Sequence, residues 1–140
     1  FPIAVKLTAG KVLAVDIEPE MLKLIERRKI ADSVNNIDTV VASERSPNIP
    51  NASVDVVLLV DAYHEFSYPR EVMAGVVKGL KPGGRVVLVE YRGEDSSVAI
   101  KPLHKMTQRQ VKKEMSAVGL QWLRTDDYLP QQHVMVFSKQ

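Results

Sequence analysis

Val12-Leu13-Ala14-Val15-Asp16, followed at once by Ile17-Glu18-Pro19-Glu20-Met21-Leu22, decides the fold. The run from Lys11 to Asp16 is short and apolar, reads as a strand, and ends in an acid. Pro19 suits the first helical position, where its missing N–H costs nothing. Met21, Leu22 and Ile25 then recur at helical spacing up to about Ile30. A strand that delivers a carboxylate at its C-terminal end and turns directly into a helix is how an α/β nucleotide-binding sheet meets the two hydroxyls of a ribose. Many buried strands end in Asp, so the signal gains its weight from the rest of the chain.

Working outward, Ile37–Ala42 is a second strand, and residues 43–53, with Pro47 and Pro50, form a loop. Val54–Val60 reads VDVVLLV, apolar on both faces, which predicts a strand buried on both sides of a parallel sheet. Tyr68-Pro69 opens a helix whose inner face carries Val72, Met73, Val76, Val77 and Leu80, and Lys81-Pro82-Gly83-Gly84 stops it. Arg85–Tyr91 is another buried strand, and residues 92–105 are polar and irregular. Thr107 caps a helix running to Ala117, which Gly119 ends. Leu120–Asp127 and His133–Ser138 are strands joined only by residues 128–132, too short for a helical crossover, so they pair antiparallel. The pattern predicts one α/β domain over residues 1–140, its sheet mainly parallel with an antiparallel C-terminal strand.

Composition narrows the function classes. A chain of 140 residues can bury a proper core. It has no cysteine, which removes disulfides, thiolate metal sites and cysteine nucleophiles and agrees with a cytoplasmic location. A net charge of +2 does not argue for nucleic acid, and no apolar run approaches the ~20 residues that span a bilayer.

The VLAVDIEPEML stretch, joined by Leu80-Lys81-Pro82-Gly83-Gly84-Arg85-Val86-Val87-Leu88-Val89-Glu90, resembles the class I S-adenosylmethionine-dependent methyltransferases, in their small type 11 branch. The resemblance implies a Rossmann-like fold, S-adenosylmethionine as cofactor and a small-molecule acceptor. In that family a strand, a glycine-rich loop and a helix precede the VLAVD strand. Phe1–Leu7 looks like the end of that helix, and neither the strand nor the loop is in this sequence. The chain by itself is therefore expected to bind the cofactor weakly or not at all.

The resemblance also assigns residues. Asp16 would hold the ribose and Ile17 would flank the adenine. Ser43 stands where relatives often carry the acid that takes the adenine amino group, and Glu44 comes one position late. Asp61-Ala62-Tyr63-His64-Glu65-Phe66 is the densest titratable cluster and follows the most apolar strand. Asp61 would bind the methionine amino group or cap the next turn. His64 is the catalytic candidate, because its ordinary pKa lies near neutrality and it can serve as general base on a hydroxyl or amine. Glu90–Glu94 would line the acceptor side with Lys101–Met106 as a lid. No metal ligands are assigned, no membrane or nucleic-acid partner is expected, and a homodimer is left open.

Three functions remain in competition. The first is methyl transfer from S-adenosylmethionine to a small molecule. The second is a non-catalytic methyltransferase-like scaffold or partner-binding module. The third, a nicotinamide-dependent reductase, shares the strand-end acid but lacks a Tyr-x-x-x-Lys pair and does not expect the terminal hairpin.

Overall fold

The computed structural model describes residues 1–140. The chain divides into two compact units, Phe1–Asn48 and Ile49–Gln140, each described by itself.

The first unit runs α1 (Pro2–Lys6), β1 (Val12–Asp16), α2 (Pro19–Ala31) and β2 (Ile37–Val41). β1 and β2 are parallel, with Val12 opposite Ile37 and Asp16 opposite Val41. Pro19 opens α2 as expected, and Leu22 is the side chain that the helix buries. Its solvent side carries Lys23 paired with Glu20 and Arg28 with Asp32. Asn36 ties α1 down by donating from Nδ2 to the Ala4 carbonyl at 2.7 Å.

The second unit is built on β3 (Val54–Val60), β4 (Leu80–Arg92), β5 (Lys105–Met106), β6 (Leu120–Asp126) and β7 (Gln132–Lys139), with helices α3 (Pro69–Gly79) and α4 (Gln108–Ala117). The sheet order is β3-β4-β7-β6, and β5 also pairs with β4. β3 and β5 run parallel to β4, whereas β7 is antiparallel to both β4 and β6. The short connection, observed over residues 127–131, thus makes the hairpin that its length demands. Met73 and Val76 of α3, Val111 and Met115 of α4, and Val86, Leu88, Met135 and Phe137 of the sheet form one buried cluster. Thr107 caps α4 through Oγ1, which accepts the Gln110 N–H at 3.1 Å.

Three expectations need correction. The first concerns β3, which is not buried on both faces. Val54, Val57 and Leu59 pack against the core cluster, but Val56, Leu58 and Val60 are 56%, 46% and 52% exposed. β3 is the edge of its sheet, and no element of its unit covers its second face.

The second correction concerns Lys81–Gly84, which is not a free turn but the irregular start of β4. There the register jumps from Val54–Leu80 to Val56–Arg85. Gly83 sits at φ 71°, a left-handed conformation that favours glycine. At Gly84 an added Cβ would lie 2.8 Å from the Lys81 carbonyl oxygen and 3.2 Å from that of Asp55. The third is local order within residues 92–105, which contain a 3-10 turn at Pro102–His104 and lead into β5.

Candidate active site

At the C-terminal end of β1, Asp16 is half-buried and its Oδ1 accepts the Glu18 backbone N–H at 2.8 Å. That bond sets the carboxylate's orientation and leaves Oδ2 for another donor. Ile17 beside it is 45% exposed. The Ala42 N–H donates to the Asp16 carbonyl at 2.8 Å, so the β2 end lies against the β1 end and brings Ser43 to the same edge of this unit. Ser43 is exposed, and its own N–H already donates to the Ser46 carbonyl at 2.8 Å. Its Oγ accepts the Arg45 N–H at 3.4 Å.

In the second unit, β3 ends at Val60 and the chain turns sharply through Asp61, at φ 47°. A non-glycine residue in this region is uncommon, though Asp tolerates it better than most. The Asp61 N–H donates to the Val89 carbonyl at 2.8 Å, which pins the turn onto β4. Its Oδ2 accepts from Gln132 Nε2 at 2.6 Å, whereas its Oδ1 is buried and has no partner. A buried carboxylate oxygen left unpaired is costly.

The following 3-10 turn, Tyr63–Glu65, places His64 over the end of β4. His64 Nδ1 lies 2.6 Å from Oε2 of Glu90, and the His64 N–H reaches Glu90 Oε1 at 3.4 Å. Glu90 is 1% exposed. Burial pushes its carboxyl above the ordinary range, while the His64 contacts pull the other way. On its other side, His64 Nε2 stands 3.2 Å from Oε1 of Glu65. His104 comes from the Pro102–His104 turn, its ring 5.2 Å from that of His64 and edge-on to it. Tyr63 points elsewhere, donating its hydroxyl to Glu114 at 2.6 Å; burial first, and then Glu114, push its pKa far upward.

The third histidine was not anticipated as part of a polar cluster. His133 of β7 is 5% exposed, with Nε2 2.8 Å from Glu94 and Nδ1 3.2 Å from Asp127. Glu94 also accepts the Gln108 N–H, so it ties the start of α4 to β7. Partial burial raises the Glu94 carboxyl, but the His133 contact and the backbone bonds outweigh it and hold the pKa below the ordinary value. A carboxyl depressed in the fold contributes stability that is present above its unfolded pKa and is lost as pH falls through its folded one. Thermal melts should therefore show Glu94→Gln less stable than wild type at pH 7. The difference should begin to shrink as pH falls past about 4, near the reference Glu value, and should vanish only below the lower folded pKa. A gap independent of pH would mean that the carboxylate charge is not what counts.

The main partner that the sequence did not disclose is Glu90, assigned to the acceptor side rather than beneath His64. The available signal was an acid closing the buried run Val86–Val89. His104 lay within the expected lid, but nothing in the sequence joined it to His64 across 40 positions.

A parallel α/β arrangement with strand-end carboxylates and a terminal antiparallel hairpin defines a Rossmann-like fold of methyltransferase type. The chain belongs to the methyltransferase domain family, whose match covers residues 2–88. An uncharacterized methyltransferase-like protein of Schizosaccharomyces pombe is 30% identical over 112 residues, covering 80% of this chain and 41% of the relative. The ubiquinone/menaquinone biosynthesis C-methyltransferase UbiE of a Marinomonas species is 28% identical over 91 residues, covering 64% of this chain and 36% of the enzyme. The chain thus spans about two-fifths of the length of these curated relatives. Among solved structures, a SAM-dependent methyltransferase from Aquifex aeolicus superposes with a TM-score of 0.89 at 17% identity, over 98% of this chain and 73% of that one. No helix is long and apolar enough to cross a membrane.

Proposed function

We propose that this chain is part of an S-adenosylmethionine-dependent methyltransferase that acts on a small-molecule acceptor in the cytoplasm. The observation that carries the reading is His64, seated on buried Glu90 at the C-terminal end of β3 and next to Asp61. Strand ends of this kind are where open α/β sheets bind ligands. The family match, residues 2–88, runs across the division between the two units, which supports a single domain.

S-adenosylmethionine supplies a methyl group on a sulfonium, ready for direct displacement. The residues of the chain position the two reactants. Asp16 Oδ2 would accept from the ribose hydroxyls, and Ile17 and Ser43 would border the adenine. Asp61 fits the methionine end, because its unpaired buried Oδ1 suits an ammonium donor. In the tautomer that donates Nδ1–H to Glu90, His64 presents Nε2 as an acceptor that orients the nucleophile or takes its proton. Alignment of nucleophile, methyl and leaving group supplies the rest of the rate.

Asp16→Ala in the complete protein should weaken S-adenosylmethionine or S-adenosylhomocysteine binding by roughly 1–3 kcal/mol, the range for stranding hydrogen-bond partners in a buried site. Calorimetric titration reads this directly. Equal affinities for wild type and variant would reduce Asp16 to a helix-end acid.

The second reading, a non-catalytic partner-binding module, draws on the exposed apolar face of Val56, Leu58 and Val60. It expects cofactor turnover to be absent from the complete protein.

A further inference from the structure

We propose that His64, Glu65 and His104 form a site for one divalent cation of the zinc class. One ligand atom from each residue lies within 4.8 Å of the other two. Glu65 Oε1 is 3.2 Å from His64 Nε2 and 3.1 Å from His104 Nδ1. A tetrahedral ion with bonds of ~2.0–2.1 Å puts neighbouring ligand atoms roughly 3.3–3.4 Å apart. Two of the three separations therefore already stand near the value that a bound ion requires. The third needs only an approach of His104, whose side chain is 43% exposed on a short turn.

The chemistry of the set selects the ion. Two imidazoles and one carboxylate suit zinc and its neighbours, whereas magnesium and calcium take oxygen ligands. Three protein ligands leave at least one coordination position open, as in catalytic rather than structural zinc sites.

The surroundings supply the support that such ligands need. His64 Nδ1 is held by buried Glu90 at 2.6 Å, which fixes the ring and directs Nε2 outward. Carboxylate–histidine–metal chains of this form orient the ligand and raise its basicity. In the tautomer that donates Nδ1–H to Glu90, His64 Nε2 offers a lone pair toward a carboxylate oxygen 3.2 Å away. Two acceptors at that distance need a proton or a cation between them. In the methyltransferase reading above, the open position would take an oxygen of the acceptor, and Nε2 would then hold the ion rather than the proton. The cation site itself does not depend on that reading.

The test is titration of metal-stripped protein with Zn²⁺ against a chromophoric chelator, and with Co²⁺ followed by visible absorption, all without S-adenosylmethionine. Wild type should take up one equivalent and give the d–d bands of a four- or five-coordinate Co²⁺. His104→Ala and Glu65→Gln should each lower Zn²⁺ affinity at least about tenfold, and Glu90→Gln by about 10–100-fold, the range for losing an outer-sphere partner. Glu94→Gln, outside the cluster, should leave affinity unchanged. The 43% and 62% exposed side chains of His104 and Glu65 make their variants safe for folding. Absence of uptake by wild type would overturn the proposal and assign a shared proton to the cluster. Uptake undiminished in His104→Ala and Glu65→Gln would overturn it too, by placing the ion elsewhere. Because the titration contains no methyl donor, its failure would leave the methyltransferase reading standing, and the Asp16 titration tests that reading separately.

Discussion

Methyl-transfer turnover by the complete protein should fall about 100-fold or more on His64→Ala, the lower end of the range for a positioned proton-transfer group. Cofactor affinity should stay within about threefold, because in the proposed function the imidazole acts on the acceptor and not on the adenosine. The structural basis is the packing of the ring. Its side chain is 7% exposed and bridges buried Glu90 on one nitrogen and Glu65 on the other. Alanine removes the proposed acceptor-orienting group and also leaves the Glu90 carboxyl buried without its His64 partner. Glu90→Gln in place of His64→Ala separates the two effects. It keeps the ring and a hydrogen-bond acceptor, so it should retain more turnover than His64→Ala. Steady-state rates beside calorimetric cofactor titration check both. Turnover of His64→Ala equal to wild type would make His64 a packing residue only.

Leu88→Ala should destabilise the second unit by about 2–5 kcal/mol, whereas Leu58→Ala should cost less than about 1 kcal/mol. The two leucines are one residue apart in cross-strand register, since Leu58 pairs with Val87 and Leu88 with Leu59. Both belong to apolar strands, yet Leu88 is 0% exposed within the main core cluster and Leu58 is 46% exposed. A buried leucine leaves a cavity when truncated, and Phe137, Met135 and Met73 cannot all collapse into it. An exposed one loses little, because water already meets it. Chemical denaturation of the two variants decides the matter. Equal losses would mean that the outer face of β3 is covered in the protein in solution.

These two leucines also mark where sequence reading stops. Local signals carried the elements. Pro19 started α2, Thr107 capped α4, and the five residues 128–132 forced the β6–β7 hairpin by length alone. The acid ending VLAVD pointed to the strand edge where Asp16 now sits, because a strand's last side chain is placed by the strand itself. That Asp61 and His64 follow the end of β3 was likewise legible, because β3 itself sets where the chain leaves the sheet. None of those inferences needs a distant residue.

What the sequence could not supply was pairing across the chain. VDVVLLV is apolar at every position but one, so period and composition do not tell a covered face from an open one; only the neighbours of β3 do. Glu90 looks like an acid at a strand end until the fold sets it 2.6 Å from His64. His104 is an ordinary loop histidine until the Pro102–His104 turn brings it within reach of Glu65. The sequence by itself determined the order of the helices and strands apart from β5, the antiparallel finish of the sheet, and which strand ends carry acids and histidine. Only the tertiary structure decided which of those groups meet and which apolar face stays open. Burial and side-chain pairing are set by contacts between residues tens of positions apart, and no local pattern encodes them.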